Sequence, residues 1–557
     1  MVTTPTIWKP EFRTNEITNS EQFDGVLADM GGGRFVSVWT DFDGSVASPG
    51  INLVGQIFDT EGSALGDPFQ VNQAVKTGHQ EDGAVASRPG GGFAVAYKSY
   101  STSITDVSIP VDFFDTNGNR TGGATVQADT NDDVLSAPSI AAGTDGGYVV
   151  VYSRKVDADG TFDIVSRHIK ANGTVDAEQS VFDSTDTSAH AAEVAALTNG
   201  NYVVAFIDLA NPGDRDPEFK IVGQNGAIPG PAGGKGFQIS TALTDETDVQ
   251  VAALTGGGFV VAWVGKDGDS SGIRYSVYNA NGTAVKANQF GGGFGANATT
   301  AGVQSGADVA GLKDGGFVIV WRDTERNGTY GQRFDASGDK VGGEFLAAGS
   351  GRTSSIVAAL DDGRFVTGTS KVIPNSDVFA TIFDPRETTI SGDGDDNVIT
   401  SRIEGATVNG LGGDDELLGQ AGKDRLNGGD GRDRLKGGEG KDKLTGGGDK
   451  DTFVFDFAVK PKKAANTHKD KVLDFSHKAD TVELDGDVFT QLKLGKVKNK
   501  DFDTGTDKAS TDGHTLYWHE KSGKLYYDTN GSKKGGDVEI AKFNKDADLA
   551  ANDFLVT

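Results

Sequence analysis

A strict nine-residue period between residues 410 and 454 constrains the fold of this chain more than any other feature. Five consecutive units cover the stretch, and each combines a glycine-rich turn with an aspartate and, two residues later, an apolar residue. A flexible glycine-rich linker would not keep aspartate and leucine in phase through five units. The aspartates are Asp415, Asp424, Asp433, Asp442 and Asp451, and the apolar residues are Leu417, Leu426, Leu435, Leu444 and Phe453.

The period predicts a parallel β-roll in which each unit forms half a coil. A six-residue turn, in which glycine permits positive φ angles, leads into a three-residue strand whose apolar side chain fills a thin core. Two units complete one coil, so alternate aspartates stack on the same edge of the roll. We expect Asp415, Asp433 and Asp451 on one edge, and Asp424 and Asp442 on the other.

Each edge of such a roll presents carboxylates and turn carbonyls, the hard oxygen ligands that Ca²⁺ prefers. A further unit upstream, SGDGDDNVI, adds Asp396 followed by Val398. The last unit departs from the pattern, because Asp449 stands where glycine is expected. The predicted calcium ligands are Asp396, Asp415, Asp424, Asp433, Asp442 and Asp451, with the turn residues Gly413, Gly422, Gly431 and Gly440.

These units match the nonapeptide calcium repeat G-G-x-G-x-D-x-U-x, in which U is apolar. Residues 391–456 therefore resemble the RTX (repeats-in-toxin) family. The resemblance implies several Ca²⁺ ions held in a parallel β-roll, which we expect over residues 390–456.

The first 390 residues contain a longer and weaker repeat. Seven copies of a glycine-rich turn precede a strand with an aromatic residue near each end, at intervals of roughly 55 residues. Flanking segments give four antiparallel strands per copy. Blades of about 50 residues fit this period, whereas tandem sandwich domains need about 100 residues each. We predict an all-β chain with a seven-bladed β-propeller over residues 1–389. The first aromatics are Phe35, Phe93, Tyr148, Tyr202, Phe259, Phe317 and Phe365.

The seventh copy lacks a fourth strand, and the N-terminus offers a replacement. Residues 10–15, PEFRTN, resemble the fourth strands of other copies, with Phe12 in the place of Phe69 and Phe345. This strand would join the first and last blades and leave no free sheet edge. Acidic turns elsewhere in the propeller suit either ordinary turn formation or Ca²⁺ binding.

Net charge is distributed unevenly along the chain. Of the formal −28, residues 1–390 carry −22 (26 Lys and Arg against 48 Asp and Glu), residues 391–456 carry −6 and residues 457–557 carry zero. Such an acidic propeller is a poor partner for nucleic acid or an anionic membrane. The chain has no Cys, so calcium rather than disulfides would stabilise it outside a cell. We expect neither a Sec signal peptide nor a membrane-spanning segment.

Residues 457–557 form a predicted β-rich cap. The segments DTFVF, VLDF, YYDTNG and VEIAKF resemble the capping region of serralysin-type secreted proteins, whose catalytic half is missing from this sequence. The ending LAANDFLVT, with Asp553 before an apolar tail, is similar to the C-terminal signal of type I secretion substrates. These resemblances imply export by type I secretion machinery to the exterior or cell surface of a Gram-negative bacterium.

Signatures of known catalytic chemistry are missing from the sequence. There is no H-E-x-x-H zinc motif, no G-x-S-x-G elbow, no P-loop and no dinucleotide fingerprint. We therefore assign no catalytic residue and no cofactor other than Ca²⁺. Two functions stay open. One is a secreted binding, adhesion or structural module that contacts polysaccharide or extracellular matrix, or assembles into a surface layer or fibre. The other is a secreted glycan-active lyase or hydrolase with its site in the propeller channel.

Overall fold

The chain divides into two compact units, Val2–Pro385 and Arg386–Thr557. Among the described residues the helical segments are two short 3-10 turns, Asn499–Asp501 and Ala551–Asp553, so the described chain is nearly all β, as predicted. The computed structural model describes residues 4–15, 21–42, 51–73, 75, 78–88, 91–100, 107–127, 136–154, 161–183, 189–211, 214–223, 226–227, 236–240, 244–267, 270–287, 293–371, 376–385, 389–392, 394–401, 405–419, 421–457, 469–505, 514–530 and 536–557.

Seven antiparallel sheets of four or five strands build the first unit, which confirms the predicted seven-bladed propeller. Blades 1 to 4 comprise Gln22–Asp29, Arg34–Asp41, Asn52–Asp59 and Phe69–Gln70; His79–Ser87, Phe93–Tyr100, Val107–Phe114 and Arg120–Gln127; Ser139–Ala142, Tyr148–Arg154, Asp163–Ile169 and Gln179–Phe182; and Ala189–Ala196, Tyr202–Asn211, Asp214–Gly223, Gly226–Ala227 and Phe237–Gln238. Blades 5 to 7 comprise Thr247–Ala253, Phe259–Lys266, Ser271–Tyr278, Ala284–Lys286 and Phe294–Gly295; Gln304–Gly311, Phe317–Asp323, Gly328–Phe334 and Lys340–Ala348; and Ile356–Ala359, Phe365–Lys371, Asp377–Asp384 and Thr6–Arg13.

A glycine-rich turn precedes the second strand of each blade, and blade 6 shows why glycine is needed there. Gly315 has a φ of +89°, a conformation that strains any residue with a side chain. A Cβ atom on Gly316 would lie 2.3 Å from the carbonyl oxygen of Phe334 on the neighbouring strand. The repeated glycines therefore allow the strands of a hairpin to approach closely.

The second strand of each blade is buried on both faces because blades cover it from both sides. In blade 6, Ile319 and Trp321 pack with side chains of blade 5, whereas Val318 and Val320 pack with side chains of blade 7. This explains the uninterrupted apolar runs that recur through the propeller. Trp321 is fully buried, so this aromatic position serves packing between blades.

The outer strand of blade 7 comes from the start of the chain. Thr6–Arg13 runs antiparallel to Asp377–Asp384, with Phe12 opposite Ala380. The ring of Phe12 lies 5.7 Å from that of Phe58 in blade 1, centroid to centroid.

A buried arginine supports the same junction between blades 7 and 1. The guanidinium of Arg364 stacks on the Trp8 ring at 4.6 Å and donates hydrogen bonds to Asp362 and Glu61. The indole N–H of Trp8 also donates to Glu61, at 2.9 Å. The N-terminal strand is thus held to both blades by apolar and charged contacts.

The second unit contains two long sheets that face each other across one core. The larger sheet consists, in spatial order, of Thr389–Ser391, Thr407–Gly412, Arg425–Asp430, Lys443–Gly447, Asp470–Val472, Asp537–Lys542, Lys524–Asp528, Leu516–His519 and Phe502–Gly505. The smaller sheet consists of Val398–Thr400, Glu416–Leu418, Arg434–Lys436, Thr452–Phe455, Thr481–Leu484, Phe554–Val556 and Gly495–Lys496. Ala421–Gly422 and Glu439–Gly440 form a separate parallel pair.

The repeat strands stack in parallel with an offset of 18 residues, which is two units per coil. Leu417 pairs with Leu435, and Leu435 with Phe453, and all three side chains are fully buried. The same ladder then continues beyond the nonapeptides, where Val482 and Phe554 occupy the next two rungs. The repeats and the C-terminal strands therefore share one hydrophobic core.

Candidate functional site

Seven buried aspartates form two columns, one along each edge of the roll. Each is at most 8% exposed, although carboxylates are rarely buried without a partner. Within a column, one oxygen of each carboxylate accepts the backbone N–H of the residue one coil earlier, at 2.7–3.1 Å. The columns are Asp415, Asp433, Asp451 and Asp480 on one edge, and Asp424, Asp442 and Asp470 on the other.

The second carboxylate oxygen points toward the start of its own turn, where only glycine fits. A Cβ atom on Gly410 would lie 2.1 Å from Asp415 Oδ2, and one on Gly428 would lie 2.1 Å from Asp433 Oδ2. Gly446 stands in the same relation to Asp451, at 2.2 Å. The first glycine of a unit therefore leaves space beside the carboxylate.

The predicted turn glycines bring backbone carbonyls to the same edges. A Cβ on Gly431 would lie 2.0 Å from the carbonyl oxygen of Gly413, and one on Gly440 would lie 1.7 Å from that of Gly422. Successive turns thus stack with their main chains in contact. Carboxylate and carbonyl oxygens lie together on each edge, the donor set that suits Ca²⁺.

The electrostatics of these two columns favour a bound cation. Oδ2 of Asp433 is buried and makes no hydrogen bond to any described residue. Burial, followed by the charges of Asp415 and Asp414, raises the pKa of Asp433. Burial and the neighbouring carboxylates, Asp480 first, raise the pKa of Asp451 to about 7. A divalent cation between the coils would offset both the burial and the repulsion.

No group of three or more Asp, Glu or His side chains converges closely enough to hold a metal among the residues that the structure describes. The carbonyls of the stacked turns supply further oxygen ligands beside the carboxylates on each edge. The donor set fits Ca²⁺ and does not resemble a zinc or iron site.

The prediction for Asp396 is wrong in its register. Asn397 occupies the rung of Asp415, because its N–H donates to Asp415 Oδ1 at 2.8 Å. Asp396 itself is exposed and accepts a backbone N–H from the next turn. The core decides this register, since Ile399 packs against the core while Val398 is 73% exposed. The upstream unit is therefore shifted by one residue from the phase that we expected.

Sequence reasoning also missed two members of the columns, Asp470 and Asp480. Each is followed two residues later by a buried valine, Val472 or Val482, which is the aspartate–apolar spacing of the repeats. Longer insertions separate them from the preceding rungs, so the nine-residue period does not reach them. The aspartate-x-valine spacing was the available signal.

The propeller has a cavity of about 650 Å³ at its centre, lined by the innermost strands of all seven blades. Its described lining contains no Arg, Lys, His or Tyr. Three of the lining aspartates have positive φ values of 51–53°, a conformation that aspartate adopts more readily than most residues. The acidic residues of the lining are Asp24, Asp82, Glu193, Asp248 and Asp308.

Two of these carboxylates bridge neighbouring blades. Asp308 in blade 6 accepts the N–H of Val357 in blade 7 at 2.7 Å, and Glu193 in blade 4 accepts the hydroxyl of Ser139 in blade 3 at 2.7 Å. Burial raises the pKa of each carboxyl to about 7. Their hydrogen bonds give both residues a structural role in the ring.

Family comparison decides the nature of the roll. Residues 405–435 and 427–457 match the RTX calcium-binding nonapeptide repeat, with four copies. Residues 405–457 are RTX calcium-binding repeats. RTX repeats are typical of proteins exported by type I secretion and suggest an extracellular protein. No helix among the described residues is long and apolar enough to cross a membrane.

No curated protein matches the chain significantly. Three solved structures align with it at TM-scores of 0.42, 0.39 and 0.34. The first is a protein of unknown function from Dyadobacter fermentans, 10% identical over 69% of this chain and 99% of that chain. The second is the β-propeller domain of the Trilobed protease from Pyrococcus furiosus, 9% identical over 67% and 97%. The third is the Penicillium chrysogenum alpha-L-arabinanase complexed with arabinobiose, 14% identical over 55% and 93%.

Proposed function

We propose that this chain is a secreted protein whose RTX roll folds when Ca²⁺ binds its two columns of buried aspartates. The observation that carries the proposal is the burial of seven carboxylates beside stacked turn carbonyls, with Oδ2 of Asp433 lacking a hydrogen-bond partner among the described residues. Asp415, Asp433 and Asp451, with Asp480 as the last rung, would hold ions on one edge. Asp424, Asp442 and Asp470 would hold them on the other.

Repulsion between rungs gives the proposal its mechanism. Adjacent strands lie about 4.8 Å apart, so two ionised carboxylates on neighbouring rungs repel by about 3 kcal/mol at an effective dielectric constant of about 20. Several such pairs keep the calcium-free roll unfolded. Ca²⁺ binds only the stacked coils and stabilises them by mass action.

Export follows from the same competition between carboxylate repulsion and calcium binding. In a cytosol that is low in calcium, the roll stays unfolded, and an unfolded chain can pass through a type I secretion channel. Outside the cell, calcium folds the roll, and a folded roll cannot return. The family match to RTX repeats supports this route.

For the propeller we propose a binding, adhesion or structural role outside the cell, with polysaccharide, matrix or further copies of the chain as partners. The channel supports this role over glycan cleavage. Its described lining has carboxylates but lacks the Arg and Tyr side chains expected of a glycan-active site, and Asp308 is occupied by backbone N–H groups. A lyase or hydrolase remains the alternative, and E193Q and D308N variants would abolish its activity.

The test is calcium-dependent folding of the purified full chain. We expect chelation to expose residues 391–557 to limited proteolysis and to reduce the far-ultraviolet circular dichroism, while the propeller stays resistant. Adding Ca²⁺ should restore both signals, and Mg²⁺ at equal concentration should not, because it prefers a smaller octahedral site. Identical spectra and digestion patterns with and without calcium would refute the proposal.

A further inference from the structure

Basic side chains form a row across the outer face of the larger sheet of the second unit. Five successive strands each contribute one cation, and the register places each beside the next. Four steps between strands, each about 4.8 Å, give the row a length of about 19 Å. In spatial order the residues are Arg425, Lys443, Lys471, Lys542 and Lys524.

These cations are available to a partner. Arg425, Lys471 and Lys542 are exposed and Lys443 is half-buried, and none of the four forms an ion pair with a described residue. Lys524 pairs with Glu539 at 3.0 Å. The row is therefore a local concentration of positive charge in a chain with a formal net charge of −28.

A second set of lysines reinforces the row at the edge of the roll. Lys423, Lys441 and Lys469 each precede a buried aspartate, and Arg425, Lys443 or Lys471 follows it. The aspartate points inward, whereas its two basic neighbours point outward because side chains alternate along a strand. Lys423 and Lys441 are exposed, and Lys469 is half-buried and pairs with Glu539.

A row of amides and a hydroxyl runs parallel to the cations. Asn427 and Thr445 lie two residues beyond Arg425 and Lys443 on the same strands, and Asn409 occupies the same register on the adjacent strand Thr407–Gly412, which adds no cation to the row. Asn409 donates a hydrogen bond to Ser391 on the adjacent strand at 3.3 Å. No aromatic side chain stands in either row. The face thus offers a line of positive charges beside a line of hydrogen-bonding groups.

We propose that this face, defined by Arg425, Lys443, Lys471, Lys542 and Lys524 with the adjacent amides, binds a linear acidic polysaccharide. Carboxylates of the polymer pair with the cations, and its hydroxyl groups bond to the amide row. A linear polyanion matches evenly spaced charges across a sheet. Single-stranded nucleic acid fits less well, because its bases need aromatic platforms that these rows lack.

Binding should depend on calcium although no ion contacts the polymer. The buried aspartates lie between the outward cations in sequence, so the row forms only when the coils stack. This part of the proposal rests on calcium-driven folding. Polymer and calcium both bind the folded roll, so each should raise the apparent affinity of the other.

The test uses the full chain and fluorescently labelled hyaluronate fragments, a uronate polymer. We expect binding in excess Ca²⁺, none to neutral dextran, and loss of binding on chelation. The variant R425Q/K443Q/K471Q removes three charges of the row and should raise the Kd about tenfold, since each exposed charge pair contributes about a factor of two. The control K493Q/K496Q/K498Q removes three exposed lysines elsewhere in the same unit and should change the Kd less than twofold.

Equal effects of the two triple variants, or no binding of hyaluronate by the native chain, would overturn the proposal. Tighter binding of oligo-thymidylate through the same three residues would also overturn it, in favour of nucleic acid. Calcium-induced circular dichroism is measured on every variant. A normal calcium response without polymer binding refutes this inference alone, whereas an absent calcium response refutes the proposed function.

Discussion

Replacing Asp433 by Asn tests the calcium columns because it should act in opposite directions with and without calcium. The amide keeps the size of the side chain and the oxygen that accepts the N–H of Asp415 at 2.9 Å. It removes the charge and the buried Oδ2, which has no hydrogen-bond partner among the described residues. The substitution thus isolates the ionic contribution from the shape of the turn.

Without calcium, D433N should stabilise the roll. Burial, then the charges of Asp415 and Asp414, raises the pKa of Asp433. A carboxyl whose pKa is raised in the folded state favours folding only while protonated, and that contribution is lost as pH rises through the folded pKa. At pH 7.5 the amide resembles the protonated acid. Removing repulsion from a neighbouring rung should raise the free energy of unfolding by about 3 kcal/mol.

With calcium, the same substitution should destabilise the roll. An ion present at about 1,000 times its Kd stabilises the folded state by about 4.1 kcal/mol. Asn cannot replace the anionic ligand, so the calcium-dependent gain should fall by about that amount. Because this loss exceeds the ~3 kcal/mol gained without calcium, D433N should be about 1 kcal/mol less stable than the native roll in excess calcium.

The assay is hydrogen exchange of peptides from residues 405–457 in the full chain, with Ca²⁺ and with a chelator, across a urea series. D487N is the matched control, because Asp487 carries the same charge on an exposed turn outside the columns. It should change protection by less than 0.5 kcal/mol in either condition. A change of the same sign in both conditions for D433N, or an equal effect of D487N, would refute the reasoning.

Three further variants test other parts of the chain. In excess calcium, the melting temperature of the propeller should fall between pH 5 and pH 8. Burial raises the pKa of Asp308 to about 7, so the protonated carboxyl favours folding and this contribution is lost as pH rises through that value. Calorimetry should show a flatter dependence of the melting temperature on pH for D308N, and an equally steep dependence contradicts this. In urea unfolding with calcium, L435A should lower the free energy of unfolding of the second unit by about 3 kcal/mol, because Leu435 is fully buried against Phe453. A loss below about 1 kcal/mol would rule out a packed core. F12A should lower the free energy of unfolding of the propeller by about 2 kcal/mol and expose blade 7 to proteases, because Phe12 packs on Phe58. Unchanged digestion would contradict closure of the ring by the N-terminal strand.

The sequence predicts the roll well because a nine-residue period leaves few alternatives. Leu417, Leu435 and Phe453 must share one face if their glycine turns are to stack, and the structure places them in one ladder. The period also predicts which aspartates share an edge. It does not predict the ends of the columns, where the core rather than the turn sets the register.

Both errors at the ends of the columns have that cause. Asp396 looked equivalent to Asp415 because both follow a Gly-x-Gly-type turn, but burial of Ile399 in place of Val398 shifts the unit by one residue. Asp470 lies beyond a long insertion that the nine-residue period does not reach, and the strand pairing of Lys443 with Lys471 shows its rung. Local sequence contains the turn chemistry, whereas the register depends on contacts between coils.

The propeller channel and the basic row could not be read from the sequence for a different reason. The acidic lining combines one residue from each of five blades, and only closure of the ring brings Glu193 and Asp308 to one cavity. The row continues from the parallel rungs into the antiparallel strands that carry Lys542 and Lys524. Each set joins segments far apart in the chain, so its members come together only in the folded structure.

The end of the chain connects folding with export in the proposed route. Phe554–Val556, the tail that resembles a type I signal, is the parallel rung that follows Thr481–Leu484, and Phe554 is fully buried. Asp553 is buried too and bonds to the His477 ring at 2.8 Å. If a type I transporter reads this tail, as the proposed route requires, it would find Phe554 accessible only while the roll is unfolded. In that route low calcium would keep both the roll unfolded and the signal accessible, and calcium outside the cell would end both conditions in one folding step.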